Sequence, residues 1–145
     1  MDIRAITDTY YVAPQIAPSD LPDIAAAGIK TIICNRPDEE VPPSHCAAEL
    51  EIATHAAGLT FHILPLTHQT MTLDVIAQHM ELVKSAGPVL AYCASGTRCT
   101  IAWAIGSAAQ GLDIDDILAA ARQGGYALDS MRPTLQSAAD AGTKT

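Results

Sequence analysis

The chain has 145 residues, enough for one hydrophobic core, and its 49% hydrophobic share rests on Ala, Ile and Leu, with one Phe, one Trp and four Tyr. A formal net charge of −8 with eight Lys and Arg in all argues against nucleic acid or an anionic membrane as partner, because clustered cations capture both. Met1-Asp2-Ile3-Arg4 lacks a signal-peptide start and no apolar run reaches bilayer length, so a cytoplasmic protein is expected, with Cys34, Cys46, Cys93 and Cys99 as reduced thiols.

An extended start is predicted around Tyr10 to Val12, then a helix opening at Ala17-Pro18-Ser19-Asp20-Leu21-Pro22 and stopping at Gly28. Lys30 to Asn35 is a β-branched run that reads as a buried strand. Pro42-Pro43-Ser44 opens a helix closed by Gly58, and Thr60 to Leu64 forms the next strand. A loop from Leu66 to Met71 leads to a helix from Thr72 to about Ser85, followed by the strand Pro88 to Tyr92. Beyond it the reading is a loop from Cys93 to Arg98, a helix from Thr100 to Ala109, a helix from Ile114 to Gln123 and a last helix after Pro133. Residues 1–140 are expected to form one domain and 141–145 a disordered tail. Strands alternating with helices imply an α/β fold, a mainly parallel sheet with helices on both faces. On such sheets ligands bind at the carboxyl ends of strands, where Cys93 stands.

A thiol attacks as thiolate, and an ordinary cysteine with a pKa of about 8.5 is mostly protonated at neutral pH. Cys93-Ala94-Ser95-Gly96-Thr97-Arg98 offers a remedy. A strand feeding a small-residue loop and then a helix can turn the amides of Ala94, Ser95, Gly96 and Thr97 inward, and Gly96 permits the backbone angles required. Arg98 adds a planar fork of donors and a charge that favours the thiolate. Cys93 and Arg98 are therefore the candidate catalytic residues, with Ala94, Ser95, Gly96, Thr97 and Cys99 as candidate anion-binding positions.

The same residues resemble the cysteine-loop superfamily that contains dual-specificity protein phosphatases and rhodaneses. Ile32-Ile33-Cys34-Asn35-Arg36 with Glu39 and Glu40, Phe61 to Leu66, Val89 to Arg98, Gly111-Leu112 and Arg132-Pro133 all resemble the phosphatase branch. The string Tyr92 to Arg98 is closer still to the bacterial phosphatase-like domain found alone or fused to metallo-hydrolases in beta-lactamase hydrolase-like proteins. The resemblance implies a phosphatase-like three-layer sandwich with four to five strands. It also marks two departures. Phosphatase loops hold one more residue between cysteine and arginine than the four here, and the shorter spacing is the rhodanese pattern. The phosphatase acid is an aspartate after the equivalent of Pro65-Leu66, where this chain reads Thr67-His68-Gln69.

The first expectation is accordingly a sulfurtransferase that holds a Cys93 persulfide and uses a small anionic or persulfide donor such as thiosulfate or glutathione persulfide. Sulfur transfer needs little general-acid help, because thiolate and sulfite are good leaving groups. The alternative is a phosphatase acting on a phosphoester, with His68 replacing the missing acid. A third reading is a non-catalytic domain that binds an anion or a partner protein. No cofactor or metal is expected, since His45, His55, His62 and His79 show no metal-site spacing. Cys99 is a candidate resolving thiol against a packing role, and Thr100 a candidate donor to the Cys93 sulfur against a plain helix-start role. Arg36 stands between attracting an anion and pairing with Asp38 or Glu39, Trp103 and Ile105 are expected in the core, and Arg132 stands between the outer support of the loop that the resemblance implies and plain helix punctuation with Pro133.

Overall fold

Short runs of β-branched and aromatic residues become strands, and each gap long enough for a crossover becomes a helix. The computed structural model describes residues 2–67, 69–84 and 87–142. Its five strands are β1 (Arg4–Ala5), β2 (Tyr10–Ala13), β3 (Thr31–Cys34), β4 (Thr60–Ile63) and β5 (Val89–Tyr92). They form one sheet in the order β1-β2-β5-β3-β4, parallel except for β1, which pairs antiparallel with β2. The helices are α1 (Leu21–Ala26), α2 (Ala47–Ala56), α3 (Leu73–Val83), α4 (Thr97–Ala109), α5 (Ile114–Gln123) and α6 (Arg132–Gly142).

Side chains alternate across β5 and so divide the core. Leu90 and Tyr92 pack with Ile32, Cys34, Leu21, Ile24 and Leu50 under α1 and α2. Val89, Ala91 and Cys93 pack with Ile33, Ile76, Met80, Trp103, Ile117 and Leu135 under α3 to α6. Each large aliphatic side chain buried here contributes about 1.5–3 kcal/mol. The helices and the mainly parallel sheet make the expected three-layer α/β sandwich, and Trp103 and Ile105 lie in its core as expected.

Several boundaries differ from the sequence reading: short 3-10 turns at Pro18–Asp20 and Pro43–His45 precede α1 and α2, which begin at Leu21 and Ala47. Helix α4 begins at Thr97 rather than Thr100, because Gly96 takes the left-handed conformation (φ 88°, ψ −9°) and turns the chain straight into the first helical turn. Residues 129–131 form a short 3-10 turn ahead of α6, which begins at Arg132 and continues to Gly142, two residues into the stretch assigned to the tail. Strand β1, two residues long, is too short to show a period. Among the described residues no helix is long and apolar enough to cross a membrane.

Candidate active site

Cys93 follows β5 directly, and its amide donates to the Ala13 carbonyl at 3.3 Å, continuing the β2–β5 ladder by one residue. The chain then turns through Ala94, Ser95 and Gly96 into α4. The Gly96 amide points back and donates to the Cys93 Sγ at 3.1 Å. The thiol is pushed down to about 5, first by the hydrogen bond from the Cys99 thiol, against the opposing effect of burial, and further by the amides of Cys99, Ser95 and Gly96. Donors gathered on a sulfur beside a helix N-terminus favour its thiolate.

The loop amides do not act alike. Those of Ser95, Gly96 and Cys99 serve the sulfur, whereas the Thr97 amide lies 3.4 Å from the Ser95 Oγ, which itself donates to the Thr97 Oγ1 at 2.9 Å. Ala94 is exposed and offers its carbonyl to the Gln15 amide at 3.4 Å. Thr100 takes the helix-start role, donating its hydroxyl to the Gly96 carbonyl at 2.8 Å rather than to the sulfur. Cys99 is fully buried and its own pKa is raised by burial and by the neighbouring Cys93 sulfur. It remains a thiol and serves as a donor, which makes it a poor resolving nucleophile.

Arg98 departs most from expectation. Its fork does not close over the loop: Nη1 and Nη2 donate to the Glu40 carboxylate at 3.0 and 2.7 Å, and Nη1 also donates to the Leu66 carbonyl at 2.8 Å. The Arg98 pKa is raised by Glu40 and, less strongly, by the Cys93 sulfur, so the guanidinium and thiolate still attract one another. Hydrogen-bond donors, with the Cys99 thiol first, nevertheless dominate the depression at Cys93. Glu40 is held below the usual carboxylate range, first by Arg98 and then by Arg36. Arg36 is an ion-pair partner here, but of Glu40 at 3.3 Å rather than Asp38 or Glu39, and it also reaches the Gln15 side chain at 3.2 Å. Asp38 instead receives the Ala47 amide at the start of α2.

Beside this pair opens a cleft of about 610 Å³ lined by Glu40, Thr67, Gln69, Met71, Arg98 and Ile101. Cys93 itself is 0% exposed, so a reacting atom reaches the sulfur only when a covering group moves. His68 lies outside the described residues. Arg132 pairs with Asp115 at 2.7 Å on the surface and does not support the loop. Among the described residues no group of three or more His, Cys, Asp or Glu side chains could hold a metal.

Behind the loop lies a polar knot that the sequence pattern did not reveal. The Tyr10 hydroxyl donates to the Cys99 carbonyl at 2.7 Å, so its 2.9 Å contact with His79 Nε2 has the histidine as donor. The His79 Nδ1 then accepts from the Asn35 amide at 3.4 Å, which also donates to the Leu64 carbonyl at 2.8 Å. Burial pushes His79 down to about 4 and keeps it neutral. The knot ties α3 and β2 to the first turn of α4 and to the segment after β4. His79 shares the core face of α3 with Ile76 and Met80, and its partners are 44 and 69 residues away.

Residues 2–110 match the family described as "Beta-lactamase hydrolase-like protein, phosphatase-like domain". A beta-lactamase hydrolase-like protein of Agrobacterium fabrum is 33% identical over 116 residues, covering 77% of this chain and 27% of that protein. The chain thus spans about a quarter of the length of the curated relatives it matches. The crystal structure of a phosphatase candidate from Neisseria meningitidis superposes with a TM-score of 0.84 at 36% identity, over 95% of this chain and 99% of the other. TpbA from P. aeruginosa, a cysteine-to-serine variant solved with phosphotyrosine, is 17% identical with a TM-score of 0.66, over 99% and 91% of the two chains, a likeness of fold alone.

Proposed function

The chain belongs to the phosphatase-like domain family of beta-lactamase hydrolase-like proteins, and from that premise we propose that Cys93 is the nucleophile of a sulfurtransferase. The observation that carries the proposal is the pairing of a thiolate near pKa 5 with a loop carboxylate that has no proton to give. A phosphatase must protonate a departing alkoxide, and the efficient acid for that has a pKa near the working pH. Glu40, clasped by Arg98 and held low, is the wrong acid. Thr67, Gln69 and Thr70 carry no titratable proton in the useful range.

Sulfur transfer asks for less. The Cys93 thiolate attacks the sulfane sulfur of thiosulfate, the S–S bond of the donor breaks, and its electron pair leaves with sulfite. The product is a Cys93 persulfide anion, stabilised by the amides that held the thiolate. Attack by cyanide, or by an acceptor thiolate, on the terminal sulfur then returns Cys93 to thiolate and releases thiocyanate or a new persulfide. Arg98 neutralises the incoming anion once its fork is freed from Glu40.

A phosphatase is the second reading, favoured by the family and by the likeness to the N. meningitidis protein. In that case Cys93 carries a phosphoryl group and His68 supplies the proton. Assays of the purified protein with thiosulfate or glutathione persulfide and cyanide, run beside p-nitrophenyl phosphate, separate the two. Cys93-dependent thiocyanate formation supports sulfur transfer. Phosphate release with an acid limb that disappears in His68→Ala replaces it with the phosphatase, and wild-type turnover equal to that of Cys93→Ser removes both.

A further inference from the structure

We propose that Tyr126 is a positioning residue for the Cys93 thiolate, its hydroxyl anchoring the Ser95 carbonyl from outside the loop and so fixing the Gly96 amide of the same peptide unit on the sulfur. The geometry rests on one peptide plane. The Tyr126 hydroxyl donates to the Ser95 carbonyl at 2.9 Å, and the Gly96 amide donates to the Cys93 Sγ at 3.1 Å. The described chain has no cis peptide bonds, so this carbonyl and this amide point in opposite directions across the plane. Whatever holds the oxygen outward therefore holds the hydrogen inward.

An anchor is needed because of the residue that follows. Gly96 sits at φ 88°, and glycine populates both signs of φ with nearly equal ease. The Ser95–Gly96 peptide can consequently flip, which would exchange an N–H for a carbonyl oxygen facing a thiolate. Tyr126 opposes the flip by bonding the oxygen and by filling the adjacent space, since a Cβ on residue 96 would collide with its hydroxyl. Glycine at 96 is thus required twice, by its backbone angle and by the phenol lying against it.

Tyr126 is itself well seated. The turn after α5 places it: the Tyr126 amide donates to the Ala121 carbonyl and the Gly125 amide to the Arg122 carbonyl, both at 2.9 Å. Arg4 from β1 donates to the Gly124 carbonyl at 3.2 Å and lies 6.0 Å from the Tyr126 ring centroid. Partial burial raises the Tyr126 pKa, so the phenol keeps the proton it donates at neutral pH.

The inference rests on Cys93 being a thiolate and holds for sulfur or phosphoryl transfer alike, so its test reads the thiol and not turnover. The Cys93 peptide is followed by mass spectrometry during iodoacetamide alkylation as a function of pH, in the wild type, in Tyr126→Phe and in Tyr11→Phe, whose hydroxyl bonds the Asp8 carbonyl away from the loop. Loss of one hydrogen bond should raise the midpoint by about 0.5 to 1 pH unit in Tyr126→Phe and leave Tyr11→Phe at the wild-type value. A Tyr126→Phe midpoint equal to the wild type overturns the positioning role. A wild-type midpoint near 8.5 overturns instead the thiolate on which the proposed function stands. Hydrogen exchange in the unaltered protein gives a reading that no variant has to fold for: the Gly96 amide should be protected, and exchange as fast as an open loop amide would sink the proposal.

Discussion

Cys93 and Cys34 leave neighbouring parallel strands, β5 and β3, at their carboxyl ends, and both are buried. Their thiols are nevertheless driven in opposite directions. Cys93 collects donors and is pushed down to about 5, whereas burial raises Cys34, which donates its own proton to the Arg36 carbonyl at 3.4 Å. Burial opposes ionisation at both sites, so it cannot account for the difference. The chain that follows each cysteine does. After Cys93 a short turn enters a thirteen-residue helix, and the Gly96 amide at its N-cap donates back to the sulfur. After Cys34 the backbone runs through Asn35, Arg36 and Pro37 to a short 3-10 turn; the thiol donates to the Arg36 carbonyl, and the hydrogen bonds with Tyr92 and the Arg36 backbone that lower its pKa do not overcome burial. The two thiols differ in whether the donors around them outweigh burial, which they do at Cys93 and do not at Cys34.

The comparison can be broken most severely by Cys93→Ser, which should abolish turnover in either assay while leaving the far-ultraviolet circular dichroism unchanged. Next, Arg98→Ala should lower kcat/KM by about 10²- to 10³-fold, the usual cost of losing a charge-stabilising donor. A steady-state assay finding no more than a twofold change would place the anion site elsewhere.

Cys99 tests the donor argument more finely. Cys99→Ala removes the largest contribution to the low Cys93 pKa, and its alkylation midpoint should rise by about one unit or more. Cys99→Ser retains a hydroxyl and should shift it less. Equal midpoints in both variants would mean that the backbone amides suffice.

Acid stability sharpens the picture further. The folded Cys93 pKa of about 5 lies below the ordinary value of about 8.5, so its stabilisation is complete above about pH 8.5 and is lost as pH falls towards 5. His79, buried neutral, is pushed from 6.5 to about 4, so stability also declines as pH falls between those values. Thermal melts should therefore drop progressively on acidification. Cys93→Ser should flatten the curve from about 8.5 to about 6.5, and His79→Gln should flatten mainly the acid part. The smallest effect belongs to Cys34→Ala, expected to keep activity within about twofold, as for a packing cysteine.

Much of this was legible before any coordinates. The β-branched run Thr31–Cys34 and the apolar run Val89–Tyr92 announce the central strands, and the small residues before Arg98 announce the turn that follows Cys93. What escaped were contacts between residues far apart in sequence. Glu40 stands 58 residues from Arg98 and Tyr126 stands 31 from Ser95, and no local pattern encodes either pairing. The spacing of the loop arginine from Cys93 aims it at the anion. A carboxylate arriving from the segment after β3 redirects it. The start of α4 was placed three residues late because Thr97 and Arg98 look like loop residues until Gly96 is seen to open the helix.

The Glu40–Arg98 clasp also bears on affinity. A tethered carboxylate that fills both prongs of the guanidinium is an internal competitor at an effective concentration set by the fold, and an external anion has to win that contest before it binds. A ligand that spans the guanidinium and also bonds to the sulfur draws on two attractions at once, so selectivity arises from the threshold for displacement as much as from the shape of the cleft.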